Sequence, residues 1–403
     1  MFGLSSFRRS TRSRLLRATS LILAVLFIVD LFSLISDPAG QRSISQAVPD
    51  VRGKKIFIAS IHWNNAKILR SKWNRALLDL VEYFGVHNVH VSIYESGSWD
   101  ESKEALRALD NDLEDLGVKR TITLEETTHA DELKKPISEG WVETPRGKKE
   151  LRRIPYLAKL RNLSLQPLNE LAAGGIKFDK VLFLNDVVFS TEDIARLLTT
   201  RDGEYAAACS LDFAKPPSYY DTFALRDSDG YETVTSTFPY FRSRASREAM
   251  LLDQPVPVRS CWNGVVAFDA APFYAPDPLA FRGVSDQLAI QHVEASECCL
   301  IHADNPLTPT QGVWLNPDVR VGYTPEAYAA IHASSPWPGI LRKTYGIWSN
   351  RIWRWTTTTA FKSSTMARRL AAWAKTTPDA SEPGKYCLIN EMQVLVENGW
   401  AHV

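Results

Sequence analysis

From residue 54 to residue 213 the chain alternates short apolar runs with longer stretches of helical spacing, and this constrains the fold more than any other feature. "KKIFIAS" (54–60), "VHVSIYES", "VKRTITLEE", "DKVLFLNDVVFS" and "YAAACSLDF" read as strands. The first is a continuous apolar run closed by small polar residues, the pattern of a buried strand. Between them lie "NAKILRSKWNRALLDLVEYFG", "WDESKEALRALDNDLEDLG", "LRRIPYLAKLRNLSLQPLNELAAGG" and "TEDIARLLTT". Gly85 and Gly117 are helix stops, Asp100 and a Ser/Thr pair are helix starts, and Pro167 predicts an interruption of the third helix. Alternation at these lengths implies parallel βαβ units, hence an α/β fold with a mostly parallel central sheet between helices. After about residue 215 the pattern loosens into Pro, aromatic and Arg residues, although "GVVAFDA" (264–270) and "CCLIHAD" (298–304) still read as strands.

The N-terminus is a separate object. "FRRSTRSRLLR" carries Arg8, Arg9, Arg12, Arg14 and Arg17 and no acid. From Leu15 to Ile35 the 21 residues are mostly apolar, apart from Asp30. As a helix they span about 30 Å, enough for a bilayer. The basic flank would stay cytoplasmic and place residues 37–403 in the lumen. A cleaved signal peptide is the alternative, but no clear small-x-small cleavage site appears before Pro38. The expected layout is a tail (1–14), an anchor (15–36), a stem (37–53), a catalytic domain (54–330) and a C-terminal extension (331–403) packed on it. A lumenal domain meets oxidising conditions. Its five cysteines, Cys209, Cys261, Cys298, Cys299 and Cys387, leave at least one without a partner in the chain. Asn162-Leu163-Ser164 is a glycosylation sequon, usable only if exposed. The net charge of +1 gives no basic footprint for nucleic acid.

Open α/β sheets bind ligands beyond the carboxyl ends of their strands. "KVLFLND" delivers Asn185 and Asp186 to that edge. An acid ending a buried strand is accommodated if it binds a hard divalent cation that also holds substrate phosphates; the plainer role is capping the next helix. "AACSLDF" ends the same way in Asp212, a second carboxylate for work on an acceptor hydroxyl. "DSD" (227–229) is an Asp-x-Asp pair, but it sits in a Gly-bounded turn with no buried strand before it. Arg242, Arg244 and Arg282 are candidates for phosphate pairing. His302 and Asp304 close "LIHAD", where an imidazole could complete a metal site or simply pack. Trp262, Asn263 and Gly264 in "CWNGVVAF" suit a sugar ring or a core.

Taken together, "KVLFLNDVVFSTEDIARLL", "YAAACSLDF", "YYDTFALRDSDGYE", "FPYFRS", "SCWNGVVAFDAAPF", "FRG" and "SECCLIHADNP" resemble the fungal capsule-associated α-1,3-mannosyltransferase family, over about residues 55 to 325. The resemblance implies a GT-A-like, retaining glycosyltransferase of the Golgi membrane, with GDP-mannose as donor, a mannose-containing glycan as acceptor and a divalent cation, Mn2+ before Mg2+. Asn185-Asp186-Val187 then stands where related enzymes carry Asp-x-Asp. One acid is missing from that tripeptide, so His302 or Asp304 would complete the metal site. Asp212 and Asp227 become the catalytic candidates. Arg226 and Arg282 join Asn185 and Asp186 at the donor, while Asp221, Trp262, Asn263 and Gly264 face the acceptor. Two other readings stay open: a transferase using UDP-xylose or UDP-glucose, and a non-catalytic sugar-binding scaffold.

Overall fold

The computed structural model describes residues 50–333, 337–377 and 381–403, together with residues 17, 18, 20, 21, 24–32 and 34 of the N-terminal segment. Its centre is a nine-stranded sheet. In chain order the strands are β1 (Ile56–His62), β2 (Val89–Ser96), β3 (Lys119–Glu125), β4 (Lys180–Leu184), β5 (Ala207–Phe213), β6 (Arg226–Asp227), β7 (Val256–Ser260), β8 (Val265–Asp269) and β9 (Val313–Gly322). Their spatial order is β3-β2-β1-β4-β8-β5-β9-β7-β6. β3, β2, β1 and β4 are mutually parallel, as are β5 and β9. β8 runs antiparallel between β4 and β5, and β7 antiparallel to β9.

The strand alternation explains how the sheet is covered. Ile56, Ile58, Leu182 and Leu184 point to one face, where they pack with Leu77 and Leu80 of α1 (Asn74–Phe84) and Leu106 and Leu109 of α2 (Ser102–Asp115). Phe57, Ala59, Val181 and Phe183 point to the other face, against Ala158, Leu165 and Leu168 of α3 (Arg153–Ala173). Thus both faces are buried, which is why these strands read as unbroken apolar runs. Helix α4 (Thr191–Leu198) starts where expected: the Ser190 hydroxyl accepts the Asp193 N–H, and the Asp193 carboxylate accepts the Ser190 N–H.

Two expectations are corrected here. Helix α3 runs unbroken through Pro167, because Leu165 and Leu168 on either side are anchored in the core and packing outweighs the missing N–H. "CCLIHAD" is not a strand but helix α5 (Glu297–Asp304), started by Ser296, whose hydroxyl accepts the Cys298 N–H. A short apolar run that is buried all round carries no periodicity to separate helix from strand.

The C-terminal residues close over the molecule. Helices α6 (Ile340–Thr356) and α7 (Ala360–Thr376) precede a disulfide, Cys299–Cys387, and a hairpin of Gln393–Val396 with Gly399–His402. A second disulfide joins Cys209 to Cys261, and Cys298 is the buried free thiol. Asn162 exchanges two hydrogen bonds with the Phe281 backbone, so its sequon amide is already engaged. The expected anchor lies partly outside the described residues, among which no helix is long and apolar enough to cross a membrane. The tail and almost all of the stem lie outside them as well.

Candidate active site

Strands β4, β5 and β9 end at the same edge and carry Asn185-Asp186, Asp212 and Tyr323 to it. Each side chain there is wired to its neighbours. The Trp73 indole donates to the Asn185 carbonyl at 2.9 Å, and the Trp262 indole donates to Asn185 Oδ1 at 3.0 Å. Asn65, just beyond β1, donates to Asp186 Oδ2 at 2.9 Å. Asp186 is recessed, and burial is the main cause that pushes its carboxyl up to about 6. It caps no helix, since Ser190 does that work.

Asp212 is fully buried. Its Oδ1 accepts the Asp221 N–H at 3.1 Å and the Asn263 amide at 3.2 Å, while Oδ2 accepts the Tyr323 hydroxyl at 3.1 Å. Burial first, and the neighbouring Asp221 charge second, push it up to about 7. Asp221 sits in front of it with its own pKa raised by burial. Its Oδ1 accepts the Phe223 and Ala224 N–H groups, which holds the loop in shape. Asn263 and Gly264 turn the chain into β8 with positive φ, +50° and +88°. A Cβ at residue 264 would lie 2.7 Å from Val321 Cγ2 and 3.2 Å from the Asp212 Cβ, so glycine is required for this close approach.

A cavity of about 680 Å3 opens on this edge, lined among others by Arg153, Arg161, Asn185, Asp221, Trp262 and Tyr323. Sequence reading missed three of the participants. Asn65 and Tyr323 had no marked pattern. Arg161 did have one: Ile154, Ala158, Arg161, Leu165 and Leu168 are one helical stripe, and a charge in its middle is conspicuous. Arg161 lies with its guanidinium 4.3 Å over the Trp262 ring, and its Nε donates to Glu297 Oε1 at 3.0 Å. Its Nη1 is buried with no partner. Its charge bears on both Asp186 and Asp221.

Other sequence candidates fall elsewhere. Asp227 is buried, and its carboxylate accepts the Asp229, Tyr231 and Ser243 N–H groups, so it shapes the turn of "DSD". Arg226 touches the cavity, but its guanidinium donates to the carbonyls of Phe223, Leu225, Tyr386 and Cys387. Arg282 is paired with Asp304 at 2.6 Å and with Glu382 at 2.9 Å, away from this cavity. His302 is buried, hydrogen-bonds the Cys261 carbonyl through Nε2 at 2.6 Å and stacks on Phe268. It approaches Cys209 and Cys261 closely, but their disulfide uses both sulfurs, so this trio is no metal site. Arg242 bonds Thr357, and Arg244 pairs with Glu248 on the surface.

Fold and site together define an α/β protein that presents the Asp221 carboxylate and the Arg161 guanidinium to a cavity at the carboxyl edge of its sheet, with Asp186 and Asp212 recessed at the same edge. The chain belongs to the family described as Cryptococcal mannosyltransferase 1, which it matches over residues 55–304. It is similar to alpha-1,3-mannosyltransferase CMT1 of Cryptococcus neoformans var. neoformans serotype D, at 28% identity over 266 residues, 61% of this chain and 53% of that protein. The chain thus spans about half the length of that curated relative. Among solved structures it is similar to the mannosyltransferase PcManGT from Pyrobaculum calidifontis, determined in complex with GDP-Man and Mn2+ (12% identity, 90% of this chain and 88% of that one, TM-score 0.37). It is also similar to TarS of S. aureus (12% identity, 81% and 49%, TM-score 0.40). At such scores the fold is read from this chain's own strand order.

Proposed function

We propose that this chain is a glycosyltransferase with a GT-A-like nucleotide-sugar site, moving mannose from GDP-mannose to a hydroxyl of a mannose-containing glycan in α-1,3 linkage with retention. Family membership supports the reaction class. The observation that carries the reading is the recessed Asp186 carboxylate next to a cavity lined by its chain neighbour Asn185 and by Arg161, whose Nη1 is unpartnered and whose charge bears on Asp186. A carboxylate that attracts a cation and a guanidinium that matches phosphate oxygens form a cradle for a diphosphate.

The residues present fit a hard divalent cation, Mn2+ or Mg2+, held by Asp186 with substrate phosphates and water at the remaining positions. Neither His302 nor Asp304 adds to it, since each is bonded to another group. When bound, the cation would offset the charge gathering on the departing diphosphate. Arg161 would bind a phosphate oxygen through its free N–H, and Glu297 holds its guanidinium in place from behind. Asp221 faces the cavity and is the carboxylate placed to meet a sugar hydroxyl or the reacting sugar carbon. Asp212 acts behind it: by accepting the Asp221 N–H it positions that loop. Trp262 offers a ring edge and orients Asn185.

The two disulfides favour an oxidising compartment, in line with a lumenal domain of a Golgi membrane protein held by residues 15–36. Release of GDP from GDP-mannose by the purified chain, compared with UDP-glucose and UDP-xylose, tests the proposal. GDP release that needs Mn2+ and stops on chelation is expected. Faster turnover of a UDP-sugar would overturn the donor, and no turnover of any donor with a folded protein would overturn the transferase.

A further inference from the structure

Helices α6 and α7 are unlike the rest of the chain. Between Glu326 and Asp379 there is no acid, while Arg342, Lys343, Arg351, Arg354, Lys362, Arg368, Arg369 and Lys375 supply eight cations. The same stretch holds five of the twelve Trp residues. On α6, Leu341, Tyr345, Trp348, Ile352 and Trp355 recur at helical spacing and form one apolar stripe. In a buried helix such a stripe would face the core. Here Leu341 is 82% exposed, Tyr345 71%, Trp355 60% and Ile352 50%. Trp353 and Phe361, at the junction with α7, are exposed as well.

Among the described residues, the element that reaches this stripe is itself apolar. Phe27, in the helical residues 24–32, meets the Trp348 ring at 6.0 Å. Asp30, the one acid of the apolar N-terminal segment, is paired with Arg351 at 2.6 Å. Val25, Ile28, Val29 and Phe32 around it are exposed outward. Two adjoining helices therefore present apolar side chains to the outside, edged by cations, and the acid that would resist burial in lipid is neutralised by the neighbouring helix.

We propose that α6 and the start of α7 form a surface that lies in the interfacial region of a lipid bilayer, against Phe27 and Asp30 toward the lumenal end of the N-terminal segment, with anionic headgroups against the cations. The composition decides between occupants. Trp and Tyr beside Lys and Arg on an amphipathic helix are the signature of the membrane interface. A second copy docking by the same face would bring the cations that lack an acid partner against a second such set, which is repulsive. Three of the cations are already paired, Lys343 with Asp253, Lys362 with Glu232 and Arg351 with Asp30, and half-buried Arg354 and Arg369 donate to Asn350 and to the Gln291 and His292 carbonyls, which leaves Arg342, Arg368 and Lys375 exposed for headgroups. Loop 230–234 touches α7 on one side and the active-site cavity on the other, so this surface also sets how the cavity stands relative to the bilayer.

Tryptophan quenching by brominated lipid tests this on the full-length protein reconstituted in vesicles of phosphatidylcholine with about one-third phosphatidylserine. Residues 1–40 contain no Trp, so insertion of the N-terminal segment by itself is silent. Trp353 and Trp355 are exposed, so Phe in their place is expected to leave the fold intact, which circular dichroism checks. Bromine on the upper acyl carbons is expected to quench wild-type emission measurably, and Trp353→Phe/Trp355→Phe to lose about half or more of that quenching. Replacing Arg342, Arg368 and Lys375 with Gln is expected to weaken the quenching in anionic vesicles and leave it unchanged in pure phosphatidylcholine. Equal quenching in wild type and the double Phe variant overturns the proposal. So does absence of quenching together with a dimeric mass in detergent, which would assign the stripe to a second copy. No transferase activity is needed for the measurement, so it stands or falls apart from the catalytic reading.

Discussion

Two clusters of charged residues in this chain look alike in sequence and differ in wiring. At the carboxyl edge, Asp186, Asp212 and Asp221 are buried or recessed, and Arg161, whose charge bears on Asp186 and Asp221, keeps an N–H free. At the end of α5, Asp304, Arg282 and Glu382 satisfy one another, and His302 is fixed to a backbone carbonyl. The first cluster has carboxyl groups pushed above their usual range with a single guanidinium near them, itself paired to Glu297, so a cation or sugar hydroxyl has something to gain by binding. In the second the charges are paired with one another, and the one buried atom without a partner is Nδ1 of His302, a neutral ring packed on Phe268. Being at the end of an apolar run is thus a weak sign of function; a charged group left unpaired beside a cavity is a strong one.

The largest expected effect is at Asp186. Asp186→Asn keeps the Asn65 contact sterically but removes the charge. Transfer is expected to fall by about 100-fold or more, roughly 2.7 kcal/mol of transition-state stabilisation, with unchanged circular dichroism. Activity near wild type would dissolve the contrast between the clusters. Next comes Arg161. Arg161→Lys, with Glu297 still paired to a cation, is expected to raise the KM for the nucleotide sugar about 10-fold and to change kcat less, because the planar fork is lost while the charge remains. An unchanged KM would make Arg161 a packing residue on Trp262.

The half of the fold up to Phe213 was legible because its strands are buried on both faces and its helices carry caps, so local pattern and tertiary need agree. Beyond it, agreement fails for identifiable reasons. Ser296 starts a helix in a run that also spells a strand, and β9 contains Asn316 and Pro317, which disguise it, with the register against β5 shifting between Leu315 and Arg320. At the site, Asp186, Asp212 and Asn263 could be picked out as strand-end polar groups. Tyr323 and Asn65 could not, because their role comes from β9 and β1 ending at the same edge, which no local pattern records.

A smaller effect separates Asp212 from its neighbours through pH. Its carboxyl is held near 7 in the folded state, above the value of about 4 for an unfolded Asp. Between those values the folded protein binds a proton that the unfolded chain does not, so this group makes stability fall as pH rises, by up to about 1.4 kcal/mol per pH unit. Asp212→Asn removes that slope. Melting temperatures measured from pH 4.5 to 7.5 should therefore converge, with the variant's deficit relative to wild type shrinking as pH rises. A deficit constant across the range would place Asp212 outside the buried network with Tyr323 and Asn263.

The smallest effect on activity is expected at His302, and it probes the satisfied cluster directly. A ligand role would raise the Mn2+ concentration needed for half activity by about 10-fold in His302→Ala, roughly 1.4 kcal/mol of lost binding. The geometry argues otherwise. Nε2 is committed to the Cys261 carbonyl, the ring stacks on Phe268 at 5.4 Å, and burial lowers its pKa to about 4, so it stays a neutral packed ring. Removing it opens a cavity beside Phe268 and leaves the Cys261 carbonyl without its donor. Stability should drop by about 2 kcal/mol or more, while the Mn2+ requirement should move by less than about 2-fold. His302→Phe refills the volume without restoring the hydrogen bond and should recover part of the loss. A 10-fold rise in the Mn2+ requirement with an unchanged melting temperature would bring the α5 cluster to the catalytic edge and erase the distinction between the two regions.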